Sequence, residues 1–133
     1  MSQENVQIIR GIYEAFARGD VPAVLNAFDP HIEWREADNF PYADRNPYIG
    51  PQAIVAGVFM RLGTEWDGFS AVPADLLDAE ESVVALGVYS GTYKATGKQV
   101  RAQFAHIWTL ERGKVRKFQQ YTDTQQFVEA VKE

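Results

Sequence analysis

Two side chains of this sequence have the types that proton-transfer chemistry needs. Glu36 lies two residues after Trp34, on the same face of a short predicted strand. A carboxyl group in such an apolar setting has a raised pKa, so Glu36 could remove a proton next to a carbonyl group. His106 alternates with Phe104 and Trp108 on one strand face, and its imidazole could donate to an enolate-like oxygen. We predict Glu36 and His106 as the catalytic pair.

Each of these two residues also has a purely structural interpretation. Glu36 could lie in solvent at a strand end, or pair with Arg35, Arg45 or Arg101. His106 could be a core imidazole satisfied by a single hydrogen bond. The two interpretations differ in burial and in hydrogen-bond partners.

The composition excludes several other kinds of site. The 133 residues include no cysteine and two histidines, which excludes disulfides, a thiol nucleophile and cysteine-ligated zinc, and disfavours a polyhistidine metal site. A formal net charge of −5 disfavours nucleic acid and anionic membrane surfaces as partners. The chain shows no apolar run long enough for a membrane helix and no signal-peptide pattern, so we expect a cytoplasmic location. No metal or cofactor is expected.

Apolar residues at three- and four-residue spacings predict four helices. A stripe from Val6 to Phe16 marks the first, which ends at Gly19. Asp20 is placed to cap the second, whose buried face extends to Phe28. The predicted helices cover residues 3–18, 21–28, 51–62 and 125–132.

Alternating apolar residues predict a sheet in the second half of the chain. A short strand at 32–36 and a proline-rich aromatic loop at 37–51 precede it. The four longer runs are 68–78, 82–94, 99–111 and 114–124. Hairpin-length turns between them predict an antiparallel meander, and helices followed by such strands indicate an α+β fold, which we expect to be a single domain over residues 1–133. Asp123 could cap the last helix by accepting from the backbone of Gln125 or Gln126, or could be functional.

Five motifs, in this order and spacing, resemble those of the nuclear transport factor 2-like superfamily. They are Arg18-Gly19-Asp20, Phe28-Asp29-Pro30-His31-Ile32-Glu33-Trp34, Gly50-Pro51-Gln52-Ala53-Ile54, Gly113-Lys114-Val115 and Tyr121-Thr122-Asp123. Within the superfamily the chain is most similar to SnoaL-like, ketosteroid-isomerase-related proteins. The resemblance implies a conical α+β barrel whose strongly bent antiparallel sheet is wrapped by N-terminal helices. It also implies a deep apolar pocket and a homodimer formed through the sheet.

The same resemblance implies roles for single residues. Glu36 takes the place of the isomerases' carboxylate base, and His106 that of their protonated carboxylic acid. Their phenol position is Ile12 here, with Tyr13 one residue along and on a different face. The cyclase-like members use a His where His106 lies, but their Asp position is Gln120. One isomerase group is therefore kept in type, one is replaced and one is missing.

Aromatic residues are numerous, with eight Phe, six Tyr and three Trp, and such side chains fill cores or line cavities. The predicted ligand-binding residues are Trp34, Phe40, Tyr42, Tyr89, Phe104, Phe118 and Gln120. A core role with a local hydroxyl partner is the favoured alternative for five tyrosines, namely Tyr13, Tyr42, Tyr48, Tyr89 and Tyr121.

The resemblance implies a small-molecule pocket protein, with cofactor-independent isomerase, cyclase or lyase chemistry on a hydrophobic carbonyl-bearing ligand. Because Ile12 and Gln120 depart from related enzymes, a non-catalytic ligand-binding or protein-interaction module of the same fold stays open as the alternative.

Overall fold

The computed structural model describes residues 2–133, which form helices around a six-stranded sheet. The α-helices are α1 (Ser2–Ala17), α2 (Val21–Asn26), α3 (Pro51–Ile54), α4 (Met60–Glu65) and α5 (Thr124–Val131). The strands are β1 (Phe28–Arg35), β2 (Tyr48–Ile49), β3 (Trp66–Ala79), β4 (Ser82–Tyr93), β5 (Gln99–Glu111) and β6 (Lys114–Thr122). A 3-10 helix covers Pro41–Arg45, and a π-helical turn, Val55–Phe59, joins α3 to α4.

The sheet has the strand order β2-β1-β6-β5-β4-β3, in which β1 and β6 are parallel and every other pair is antiparallel. It is curled but not closed. Helix α1 packs against β3 and β4 and covers part of the concave face. The predicted α+β class and the meander of four long strands are confirmed. No helix within residues 2–133 is both long enough and apolar enough to cross a membrane.

The start of the second helix follows the predicted capping. Gly19 has φ +73°, a left-handed conformation that glycine adopts without strain, and it follows the end of α1. The Asp20 carboxylate then accepts a hydrogen bond from the backbone N of Ala23, at 3.1 Å. This N-cap satisfies one of the free N–H groups of the first turn.

The predicted end of the second helix is wrong. Phe28 is the first residue of β1 rather than the last of α2, and it pairs with Val115 of β6. The backbone N of Val115 donates to the carbonyl of Ala27 at 2.8 Å. A parallel partner from the far end of the chain therefore extends β1 backwards, and a local helical pattern cannot reveal that pairing.

The predicted cap of the last helix is only positional. Asp123 is the N-cap residue of α5, but its carboxylate makes no hydrogen bond to the backbone of the first turn. It accepts instead from Nε2 of the Gln126 side chain, at 2.9 Å.

Tyr48 is packed tightly against the π-helical turn. Gly57 lies in that turn, and a Cβ atom there would be 2.2 Å from Cε2 of Tyr48. The Tyr48 hydroxyl donates to the carbonyl of Tyr42 at 2.5 Å, which holds the ring in place. Only glycine leaves room for this contact, and the next two residues of the turn, Val58 and Phe59, face the interior cavity described below.

We expect Gly57→Ala to destabilise the protein by about 1–3 kcal/mol, because the added methyl group must displace the Tyr48 ring. The matched control is Gly63→Ala in α4, where a Cβ meets no atom within 4 Å. That change should stabilise the protein by about 0.5–1 kcal/mol through helix propensity. Urea denaturation of both variants measures the difference, and equal effects would contradict the tight packing.

Candidate functional site

A cavity lies between the concave face of the sheet and the helices. It is lined by Ile12, Tyr13, Phe16, Val24, Trp34, Glu36, Phe40, Val58, Phe59, Leu62, Phe69, Ala71, Tyr89, His106, Trp108, Phe118 and Gln120. About 60 Å³ of it is open to the centres of water molecules. Nearly all of the wall is hydrocarbon or aromatic ring, so the few polar groups are the candidates for hydrogen bonding or proton transfer with a ligand.

Strand alternation brings the polar groups to this cavity. His106 on β5 pairs with Ala85 of β4 and with Gln120 of β6, so all three side chains share the concave face. Glu36 directly follows β1, which lies beside β6. Glu36, His106 and Gln120 are the buried polar residues of the described chain, at 2–4% exposure. The predicted pair Glu36 and His106 therefore lines one cavity.

The predicted ligand-binding residues divide into two groups. Trp34, Phe40, Tyr89, Phe118 and Gln120 line the cavity. Tyr42 and Phe104 are buried but are not part of its wall.

Tyr42 and Phe104 each pack behind the cavity for a visible reason. The Tyr42 hydroxyl bonds to the Glu65 carboxylate and accepts from Nε1 of Trp66, which draws it away from the sheet centre. Phe104 stacks on the His106 ring, with centroids 4.0 Å apart and planes within 13° of parallel. It supports the imidazole without reaching the open space.

The backbone of Glu36 is held by hydrogen bonds, and its side chain is buried. Asn46 accepts from the backbone N of Glu36 at 3.0 Å and donates to its carbonyl at 2.8 Å. The carboxyl Oε2 accepts one hydrogen bond, from Nε1 of Trp34 at 3.2 Å. The structure gives Glu36 no ion pair within residues 2–133, and the neighbouring Arg35 pairs with Glu33 instead.

Burial controls the protonation of Glu36. Loss of solvent raises the pKa of its carboxyl group to about 8, against the opposing effects of the Trp34 hydrogen bond and the charge of Arg61. Glu36 is therefore mostly a neutral carboxylic acid at pH 7, with about a tenth ionised. The alternatives of a solvated or arginine-paired Glu36 do not hold.

The imidazole of His106 lies between two tyrosine hydroxyls. Tyr13 Oη is 2.5 Å from Nδ1, and Tyr89 Oη is 2.5 Å from Nε2. The ring is buried, and loss of solvent lowers its pKa to about 3, so it is neutral at physiological pH. We call Tyr13, His106 and Tyr89 the tyrosine–histidine triad. The single-bonded core imidazole of the alternative interpretation is replaced by one that uses both nitrogens.

A second layer of donors orients the triad. Trp108 Nε1 donates to the Tyr13 hydroxyl, and Gln120 Nε2 donates to the Tyr89 hydroxyl, each at 2.9 Å. Gln120 Oε1 accepts from the backbone N of Ala37 at 3.0 Å, so the side-chain amide has one possible orientation. Because Ala37 follows Glu36, this hydrogen-bonded chain ties the triad to the segment that carries the carboxyl group.

Sequence reasoning missed the role of Tyr13. It assigned the phenol position to Ile12 and left the phenol missing, whereas both Ile12 and Tyr13 line the cavity. The signal was present, because Ile9, Tyr13 and Phe16 follow one helical stripe, and a phenol on a buried stripe needs a hydrogen-bond partner. Neighbouring side chains on a helix point about 100° apart, and the cavity extends far enough along the surface of α1 for both Ile12 and Tyr13 to line it.

The buried carboxyl group of Glu36 makes the folded protein less stable as pH rises. The folded-state pKa of about 8 lies above the ordinary 4.5, so unfolding releases a proton between these values and stability falls as pH rises through them. Glu36→Gln removes this penalty. We expect the variant to gain little at pH 5 and up to about 5 kcal/mol over the natural protein at pH 9. Chemical denaturation at several pH values measures the gain.

The control for this prediction is Glu33→Gln, which removes a partly exposed neighbouring carboxylate that pairs with Arg35. Its effect should not grow between pH 5 and pH 9. A constant difference between Glu36→Gln and the natural protein over this range would contradict the buried, neutral carboxyl group.

Comparison with solved structures identifies the fold. A nuclear transport factor 2-like protein from Burkholderia thailandensis E264 is 40% identical, with a TM-score of 0.92 over 97% of this chain and 98% of that one. A second, from Burkholderia pseudomallei K96243, is 27% identical, with a TM-score of 0.88 over 98% of both chains. A protein proposed to be a SnoaL-like polyketide cyclase, from Jannaschia sp. CCS1, shares the fold at 14% identity and a TM-score of 0.83, over 97% and 92% of the two chains.

Sequence comparison agrees with the fold. Among functionally curated proteins, none matches this sequence. The sequence model of the SnoaL-like domain matches residues 9–118, which is most of the chain and includes Glu36 and the whole triad. The chain therefore belongs to the SnoaL-like domain family, within the nuclear transport factor 2-like superfamily.

Proposed function

We propose that this protein binds a hydrophobic, carbonyl-bearing small molecule and transfers a proton at the carbon next to the carbonyl group. The observation that carries the proposal is one apolar cavity lined both by the buried Glu36 and by the three residues of the triad. A carbonyl compound needs these two partners to enolise, namely a base for the carbon-bound proton and a donor for the oxygen. The chemistry is that of cofactor-independent isomerases, cyclases and lyases.

The proposed step uses Glu36 in its ionised form. The carboxylate takes the proton from the carbon, the electron pair of that C–H bond forms the enolate double bond, and the negative charge develops on the carbonyl oxygen. Return of the proton from the Glu36 carboxylic acid to another carbon completes an isomerisation. A base with a pKa of about 8 is stronger than an ordinary carboxylate, which favours removal of a weakly acidic proton.

His106 acts in this proposal as part of the donor side. Its two nitrogens both contact tyrosine hydroxyls, so it holds and polarises the phenols of Tyr13 and Tyr89. Gln120, Trp34, Phe40 and Phe118 also line the cavity and would contact the ligand. A neutral donor that gains strength as charge develops on the substrate stabilises the transition state more than the ground state.

The alternative is a non-catalytic binding module of the same fold. Two observations favour it. Gln120, at the position where cyclase-like relatives have an acid, uses its amide to position the Tyr89 hydroxyl and to accept from Ala37. Glu36 is mostly protonated at pH 7, and a carboxylic acid can bind a ligand as a hydrogen-bond donor without removing a proton.

Exchange of carbon-bound hydrogen separates the two candidates. Cyclohexanone, a small apolar ketone, is incubated in D₂O with the protein, and loss of its α-proton signals is followed by NMR. We expect exchange above the buffer rate that increases from pH 6 and levels off above about 8, as Glu36 ionises. Glu36→Gln should abolish the added exchange, and Glu33→Gln should retain it. Thermal stabilisation by the ketone with no added exchange would contradict the enzyme and support the binding module.

We further propose that the protein is a homodimer formed through the convex face of the sheet. Leu86 and Tyr121 are 37% and 53% exposed, and Ala105 lies between them in register. Val72 and Leu77 on β3 extend the same face and are 61% and 49% exposed. The exposure of Tyr121 also shows that its predicted core role is wrong. An apolar patch over four strands is typical of a covered surface.

The dimer is tested by light scattering after gel filtration. We expect about twice the 15.0 kDa of one chain for the natural protein. Leu86→Glu places a charge in the centre of the patch and should give the monomer mass. Met60→Glu alters an equally apolar residue, 57% exposed on α4, and should leave the dimer intact. A monomeric natural protein would contradict the proposal.

A further inference from the structure

We infer that the tyrosine–histidine triad presents one surplus hydroxyl proton to the cavity, so that the ligand is a compact molecule, about the size of a single ring, with an acceptor oxygen directed at the triad. The inference concerns the ligand of the site proposed above and rests on that ligand role. It does not require turnover.

The surplus follows from counting protons. The triad contains two short contacts, Tyr13 Oη to Nδ1 and Tyr89 Oη to Nε2, and each is filled by one proton. Two phenols and a neutral imidazole carry three protons in total. Two protons fill the two contacts, and the third is left on one of the hydroxyl groups.

The protonation states that this count needs are those that burial imposes. Loss of solvent lowers the pKa of His106 to about 3 and raises the pKa of Tyr13 and Tyr89 above their ordinary 10. The imidazole is therefore neutral and both phenols keep their protons at physiological pH. A charged imidazole would carry one more proton, so the triad would then have two surplus protons instead of one. A free donor is therefore present in either protonation state of His106.

The surplus proton has no acceptor in the protein. Trp108 and Gln120 contact the two hydroxyl groups as N–H donors and cannot accept there. Within residues 2–133, the structure gives Tyr13 and Tyr89 no other hydrogen-bond partner. Both residues line the cavity and are buried, so an acceptor for the free O–H has to come from the contents of the cavity. A buried donor without a partner destabilises the protein, and an acceptor oxygen of a ligand removes this cost.

The tautomer of His106 decides which tyrosine presents the proton. If Nε2 carries hydrogen, it donates to Tyr89, which then offers its own O–H to the cavity. If Nδ1 carries hydrogen, Tyr13 offers it instead. In both cases the nitrogens of His106 are occupied, so the group that touches the ligand is a phenol. This inference differs from the sequence-based expectation that His106 itself is the donor.

The size of the cavity limits the ligand. About 60 Å³ is open to the centres of water molecules. Since one water needs about 10–15 Å³ of such space and about 30 Å³ of liquid, the cavity holds about four to six waters, or about 120–180 Å³ of liquid. That is the volume of a single six-membered ring. A four-ring molecule would fit only if the walls moved or part of the molecule stayed outside the cavity.

The experiment compares a matched pair of probes that differ only in the acceptor. Cyclohexanone has a carbonyl oxygen where methylenecyclohexane has a CH₂ group of similar size. Dissociation constants are measured by titration calorimetry at pH 6, where Glu36 is neutral and exchange is slow. We expect cyclohexanone to bind about tenfold more tightly or better both in the natural protein and in Glu36→Leu, which removes the carboxylic acid as a second donor, because only the ketone can accept from the free hydroxyl. The steroid ketone progesterone should bind more weakly than cyclohexanone.

The outcomes are distinct. Equal binding of the two six-membered rings overturns the surplus donor and leaves the cavity a ligand site. Tighter binding of progesterone overturns the compact ligand. Binding of neither ring overturns this inference together with the ligand role. Absence of hydrogen exchange with a clear preference for the ketone defeats only the proposed catalysis and supports the inference.

Three further measurements locate the donor. The infrared C=O stretch of bound ¹³C-labelled cyclohexanone should shift to lower frequency than in hexane, and an unshifted band would contradict the hydroxyl contact. Removal of all three protons in Tyr13→Phe/His106→Leu/Tyr89→Phe should abolish the preference for the ketone. If that variant does not fold, the infrared band of the natural protein still decides. Labelled-histidine ¹⁵N NMR in a His31→Gln background identifies the tautomer, because only His106 then remains.

Discussion

The clamping of a buried, neutral imidazole between two phenols is the interaction on which the site depends. His106 receives no solvent and no counter-charge, so its two nitrogens must be satisfied by neutral groups. One phenol comes from α1 and the other from β4, which means that both layers of the fold must meet at the ring. Any arrangement that separated helix from sheet here would leave several buried polar groups unpaired.

The parallel pairing of β1 with β6 connects this clamp to the carboxyl group. It sets Glu36 and Ala37 beside Gln120, whose amide bonds both to Ala37 and to the Tyr89 hydroxyl. The donor side and the carboxyl side of the cavity are thus parts of one hydrogen-bonded assembly. Because every member is buried and has a defined partner, the relative positions of the two sides are held without a metal ligand or a charged pair.

The low polarity of the cavity shifts the pKa values of Glu36 and His106. The same loss of solvent raises the pKa of Glu36 and lowers that of His106, so both groups are neutral near pH 7 although their ordinary values would make Glu36 charged. The aromatic wall that causes this includes Trp34 and Phe118, stacked with centroids 3.7 Å apart. The abundance of aromatic side chains in this small chain therefore serves the electrostatics of the cavity as well as its packing.

Local patterns in the sequence determined the α+β class, the four long strands, the Asp20 cap and the concave face shared by Phe104, His106 and Trp108, because each depends on residues near one another in the chain. Tertiary structure alone decided that Tyr13 meets His106 across 93 positions, that Phe28 begins a strand and that Tyr42 lies off the cavity. Periodicity specifies the face of an element but not its partner across the core. Tertiary structure also decided the protonation states of Glu36 and His106, because the burial of a side chain depends on all the atoms that surround it.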